Sequence, residues 1–152
     1  MSIDAILLEI GAAFGNTTRP KDDQLVNSDE LEPRMIQQFL KGKSWRDLTT
    51  SSLIDYDGRA DSSAIIAFLS EEANRYFLPS FMSFVISHGR DAGLIIDVLL
   101  SRLVAQRSGL SSVKFNQNQR GAVRSFLVAL ALQHAHDEST CAQIESAMVH
   151  WK

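Results

Sequence analysis

The chain has 152 residues, 45% hydrophobic and 22% charged, with 15 basic and 18 acidic residues and a net charge of -3. Such a balance excludes a disordered chain, fits one ordinary domain with its own core, and argues against nucleic-acid binding, which calls for a basic patch or stripe. The single cysteine, Cys141, excludes an internal disulfide and suits a reducing compartment.

Ile3, Ile6, Leu7, Ile10 and Phe14 recur at the spacing of one helical face, with Ser2 as the cap and Gly15 as the stop. Residues 16–28 read as a polar loop, the longest in the chain and the one expected to move most. A second helix is predicted from Leu31 to Leu40. Met35, Ile36, Phe39 and Leu40 form its stripe, caps come from Ser28 to Glu30, and Pro33 sits in the first turn. Gly42 ends it. Ser44-Trp45-Arg46-Asp47-Leu48 then reads as a capped turn with Trp45 and Leu48 inward.

Residues 49–61 are irregular, with a turn at Asp57-Gly58 and Leu53 and Ile54 as anchors. Asp61 or Ser62 caps a short helix through Ile65, Ile66, Phe68 and Leu69. Ser70-Glu71-Glu72 starts another, which carries Ala73, Phe77, Phe81 and Phe84 and closes at Gly89. Pro79 falls inside it and predicts a kink or a restart. Asp91 opens the most hydrophobic stretch, roughly Ala92 to Gln106, whose wide apolar face marks a central helix. A helix from Gln117 to His136 follows, with Val123, Phe126, Leu127, Leu130, Ala131 and His134 on one face. Ser139 caps the last, with Cys141, Ile144, Met148 and Trp151 inward. The expected fold is all-α, a single compact orthogonal or irregular bundle of five to seven helices spanning residues 1–152.

The densest aromatic stretch, Tyr76 to Phe84, reads as core, with the hydroxyl of Tyr76 and the charge of Arg75 left at its polar edge. His134, Glu138 and Cys141 have a spacing that could hold zinc, but a helix break intervenes, so no metal is expected. Asp55-x-Asp57-Gly58 echoes a calcium loop. With Gly58 sixth, Leu53 falls first and Ala64 twelfth, where oxygen ligands are required, so the match fails. Neither a nucleophile elbow nor a phosphate loop is present, so neither catalysis nor a cofactor is expected. Arg120 and Arg124 share a helix face, but without interleaved aromatics they do not form a nucleic-acid surface. No apolar run reaches a membrane span, and Met1 to Phe14 lacks a secretory n-region, so the expected address is cytoplasmic.

Gly42-Lys43-Ser44-Trp45-Arg46-Asp47-Leu48, Phe68-Leu69-Ser70 with Ala73, Arg75-Tyr76-Phe77-Leu78-Pro79, and Gln119-Arg120-Gly121-Ala122-Val123 with Phe126-Leu127 form a pattern. With it the chain resembles a small bacterial family of uncharacterised, all-helical cytoplasmic proteins. The resemblance implies a helical fold and carries over no catalytic residue.

Acidic residues concentrate in the first half. The expected function is a protein-binding module, an immunity protein that neutralises a cognate bacterial toxin, as a monomer or weak homodimer, through an acidic surface facing a basic partner. Its candidate residues are Asp22, Asp23, Asp29, Glu30, Asp55, Asp57, Asp61, Arg75 and Tyr76. The alternative is a small-molecule binder or enzyme with a site between helices near Arg75, Tyr76 and His88.

Overall fold

Local signals place most of the helix ends. A computed structural model of the chain describes residues 2–48, 53, 63–104 and 114–151. Among them are seven α-helices and no strand: α1 (Ile3–Phe14), α2 (Leu31–Leu40), α3 (Ser63–Phe68), α4 (Glu71–His88), α5 (Leu94–Val104), α6 (Gln117–Gln133) and α7 (Glu138–Met148). Helix α1 starts where Ser2 accepts a hydrogen bond from the Ala5 N–H. Helix α4 starts in the same way, with Ser70 accepting from the Ala73 N–H. Asn116 and Gln119 cap α6 reciprocally, each side chain taking the other's backbone N–H. Helix α4 ends at Gly89, whose φ of +56° suits glycine.

The fold is all-α, as expected, and its layout centres on α4. That helix packs against α1, α5 and α6, while α1 lies along α6 and α5 along α3 and α7. Every residue from Tyr76 to Met82 is buried. Each fully enclosed Phe, such as Phe77 and Phe81, contributes about 1.5–3 kcal/mol of burial. The core continues without a break from Ile6, Ile10 and Phe14 to Ile144 and Trp151.

Several expectations are corrected. Helix α4 runs through Pro79 without restarting. Proline removes one backbone hydrogen bond, but packing on all sides of this segment holds the helix together. The central helix is α4, not α5, because α5 leaves Leu94 59% exposed and buries one face only. Helix α5 begins at Leu94 rather than Ala92, because Gly89–Ala92 forms a 3₁₀ turn and Gly93 has a positive φ. Helix α6 stops at Gln133, three residues short of His136. Asp137, not Ser139, caps α7, since its carboxylate reaches both the backbone N–H and the hydroxyl of Thr140. Glu30 stands at the cap position of α2 without a side-chain capping bond, and Ser28 accepts from the Glu30 N–H instead.

The polar loop before α2 is tied to the body. Asp22–Gln24 forms a 3₁₀ turn, Leu25 is fully buried, and Val26 bridges to Leu69. The Ser70 N–H donates to the Leu25 carbonyl at 2.8 Å, and the Ser70 hydroxyl donates to the Gln24 carbonyl at 2.8 Å. Leu53 is buried as expected. The expectations for Ile54, the turn at Asp57-Gly58 and the caps at Asp61 or Ser62 lie outside the described residues. No helix among those described is long and apolar enough to cross a membrane.

Candidate functional site

One end of α4 borders a cleft. It has a volume of about 500 Å³ and lies between the end of α1, the loop at 17–24, the first turns of α4 and the approach to α6. Phe14, Tyr76 and Phe115 line its apolar side. Phe14 and Phe115 meet edge-on with ring centroids 6.2 Å apart, and Trp151 backs Phe115 at 5.1 Å. The polar lining includes Thr17, Thr18, Gln24 and Gln119. Four cations, Arg19, Lys21, Arg75 and Lys114, face a single carboxylate, Glu72.

Arg19 organises the loop side of this wall. Its Nε donates to the Lys43 carbonyl at 2.6 Å, and its Nη1 donates to the Pro20 carbonyl at 2.8 Å. Its Nη2 donates to Asp22 at 2.7 Å and to the Leu40 carbonyl at 3.0 Å. One guanidinium thereby satisfies the end of α2 and fixes the turn that carries Lys21. Asp22 also accepts from the Gly42 N–H at 3.2 Å. That bond first, and the Arg19 hydrogen bond second, hold the Asp22 carboxyl below its ordinary value of 3.8.

On the helix side, Arg75 makes a 3.5 Å pair with Glu71 across a single turn. Tyr76 is buried, and its hydroxyl accepts the Trp45 N–H at 3.2 Å instead of standing free at the surface. Two other groups hold Trp45. The Ser80 hydroxyl donates to its carbonyl, and its own ring N–H donates to the Phe14 carbonyl at 3.2 Å.

Residues 4–152 match the model of a family of unknown function, DUF6714. The chain belongs to that family. No curated protein and no solved structure matches it. In this family member the segments Ser44–Leu48 and Arg75–Pro79, some thirty residues apart, meet at Trp45 and Tyr76.

The sequence candidates are distributed unevenly about this geometry. Arg75 and Tyr76 line the cleft. His88 does not: it lies at the far end of α4, roughly 18 Å along the axis from Tyr76, with its ring 4.5 Å from that of Phe84. Asp22 is engaged by Arg19 and Gly42, while Asp23, Asp29 and Glu30 are exposed. Asp55, Asp57 and Asp61 lie outside the described residues. His134 and Cys141 meet only through a thiol donating to the His134 carbonyl, and no three potential ligands among the described residues are placed to hold a metal.

Sequence reasoning missed Arg19, Lys21, Glu72, Lys114 and Gln119 as cleft residues. The basic pair Arg19 and Lys21 inside an otherwise polar loop was the only visible signal, and no periodicity connected it to Lys114.

Proposed function

We propose that the chain is a binding protein whose site is the cleft around Arg75 and Tyr76, and that this cleft takes an anionic group. The observation that carries this reading is the composition of the wall, with four cations against Glu72 alone. Arg19 is matched by Asp22, and Arg75 by Glu71. Lys21 and Lys114 have no ion pair among the described residues, which leaves two uncompensated cations beside one carboxylate. The Arg75–Glu71 pair is long and partly exposed, with side-chain exposures of 28% and 56%. A pair of that kind contributes at most about 1 kcal/mol, so Arg75 can turn to a ligand at small cost. The cleft lies within the usual size range of small-molecule sites.

A thermal-shift screen with small organic anions, cations and neutral compounds tests this reading. Anions should raise the Tm of the wild type, and Arg75→Gln combined with Lys114→Gln should abolish that rise. If no anion shifts the wild-type Tm at millimolar concentration, the reading is wrong.

A second reading has its own support. Asp23, Asp29 and Glu30 are exposed without ion pairs among the described residues, and Leu31 beside them is 55% exposed. Acidic residues around an apolar anchor suit a basic protein partner, such as a toxin domain neutralised by an immunity protein in a bacterial cytoplasm. Co-expression with the product of a neighbouring toxin gene should restore growth, and charge reversal by Asp29→Lys with Glu30→Lys should cancel the rescue. Absence of rescue by the wild type would dismiss this reading.

A further inference from the structure

We infer that the cleft ligand is an amphipathic organic anion, an acyl or aryl body ending in a carboxylate or phosphate; this rests on the anion-binding reading above. Two chemically different sides meet in the same cleft. The apolar side is built from Tyr76 and Phe115, which are 6% and 5% exposed, with the fully enclosed Phe14 packed edge-on against Phe115, so the core holds these rings in place. Trp151 supports Phe115 from behind, and the Trp151 ring N–H is itself anchored to the Leu103 carbonyl at 2.9 Å. The apolar side is therefore in place before any ligand arrives.

The polar side is rich in hydrogen-bond donors, with the Glu72 carboxylate in the same lining. Lys21, Arg75 and Lys114 come from three separate segments of the chain, and all line the cleft. Gln119 adds a fourth donor. Its Oε1 accepts the Asn116 N–H at 3.0 Å, and that bond orients the side chain, which leaves the amide nitrogen to offer. Donors of this kind serve the oxygens of a carboxylate or phosphate. An inorganic anion would use the cations and leave the apolar side wet. A neutral aromatic would use the apolar side and leave the charges unmatched. An anion with an apolar body uses both, and a cleft of about 500 Å³ has room for it.

Two dyes with the same aromatic body separate these contributions: 8-anilinonaphthalene-1-sulfonate carries the anion, and N-phenyl-1-naphthylamine lacks it. In fluorescence titrations of the full chain, the sulfonate should saturate a single site about tenfold more tightly than the neutral dye. Lys21→Gln with Lys114→Gln should remove that difference, and Lys41→Gln, outside the cleft, should preserve it. Octanoate or octyl phosphate should displace the sulfonate at concentrations where inorganic phosphate does not, and their order ranks the two headgroups. If inorganic phosphate competes as well as the organic anions, the apolar body is wrong and anion binding stands. If the sulfonate fails to saturate, or the lysine variants bind like wild type, the cleft reading falls as well. Circular dichroism of each variant confirms that these surface substitutions leave the fold intact.

Discussion

The backbone N–H of Trp45 donates to the hydroxyl of Tyr76 at 3.2 Å, and the backbone carbonyl of the same residue accepts from Ser80, one turn further along α4. Both main-chain groups of Trp45 are thus satisfied by a single helix face. The contact also carries the turn at Ser44–Asp47 onto the core and, through the indole N–H, clamps the end of α1. Tyr76→Phe keeps the ring and deletes only the acceptor, leaving a part-buried N–H without a partner. We expect a loss of about 1–2 kcal/mol in urea denaturation with an unchanged m-value. Wild-type stability in that variant would show that water or a shifted turn serves the Trp45 N–H.

Arg19 bonds three backbone carbonyls and a carboxylate. Arg19→Met retains much of the packing and removes every donor. It should destabilise by about 2 kcal/mol, and Arg19→Lys should recover little, because an ammonium cannot span the fork. Hydrogen exchange at the Leu25 and Gly42 amides should accelerate in both variants.

Acid should weaken the fold through identifiable carboxylates. Asp22, Asp47 and Asp137 are each held below the ordinary value of 3.8, chiefly by backbone N–H bonds from Gly42, Ser44 and Thr140 respectively. A carboxyl with a lowered folded value binds its proton more readily in the unfolded chain. The stability it contributes is full above the ordinary value and is lost as the pH falls through the folded value. Denaturation midpoints should therefore drop from about pH 4 downward, and Asp22→Asn should flatten that acid limb while lowering stability at neutral pH.

Trp151 is fully buried near the C-terminus, against Phe115 and bonded to Leu103. Trp151→Ala should cost about 3–5 kcal/mol. Trp151→Phe should keep most of the packing and lose the hydrogen bond to Leu103. If the cleft depends on its apolar side, the Ala variant should also weaken dye binding under conditions where circular dichroism still shows a folded chain.

Asn116 provides a smaller and cleaner perturbation. Asn116→Ala removes one half of the capping box of α6 and should cost about 1 kcal/mol in the denaturation free energy. The Asn116 backbone N–H that holds the Gln119 side chain is kept in this variant, so dye affinity should fall by no more than the stability change explains.

Much of the helical layout was legible from local chemistry. Ser2 and Ser70 mark the starts of α1 and α4, and Gly89 marks the end of α4, because capping involves residues within one turn of each other. The core faces of α1 and α6 follow from a 3.6-residue period that a linear sequence displays directly. Pro79 allowed a kink or a restart, and the restart does not occur. Its penalty is local, whereas the burial that outweighs it comes from α1, α5 and α6.

The cleft depended on distance along the chain. Lys21, Arg75 and Lys114 are brought together only when α1, α4 and α6 pack, and no short-range pattern encodes that meeting. The acidic bias was visible in composition, but composition did not show that Asp22 is consumed by Arg19 while Asp23 remains exposed. By itself the sequence determined that the chain is helical and where most helices start and stop, since those are decisions among neighbours. Which charges gather at the cleft, and which tyrosine hydroxyl is spent on a backbone N–H, were decided by tertiary packing, because electrostatic and hydrogen-bond partners are chosen in space.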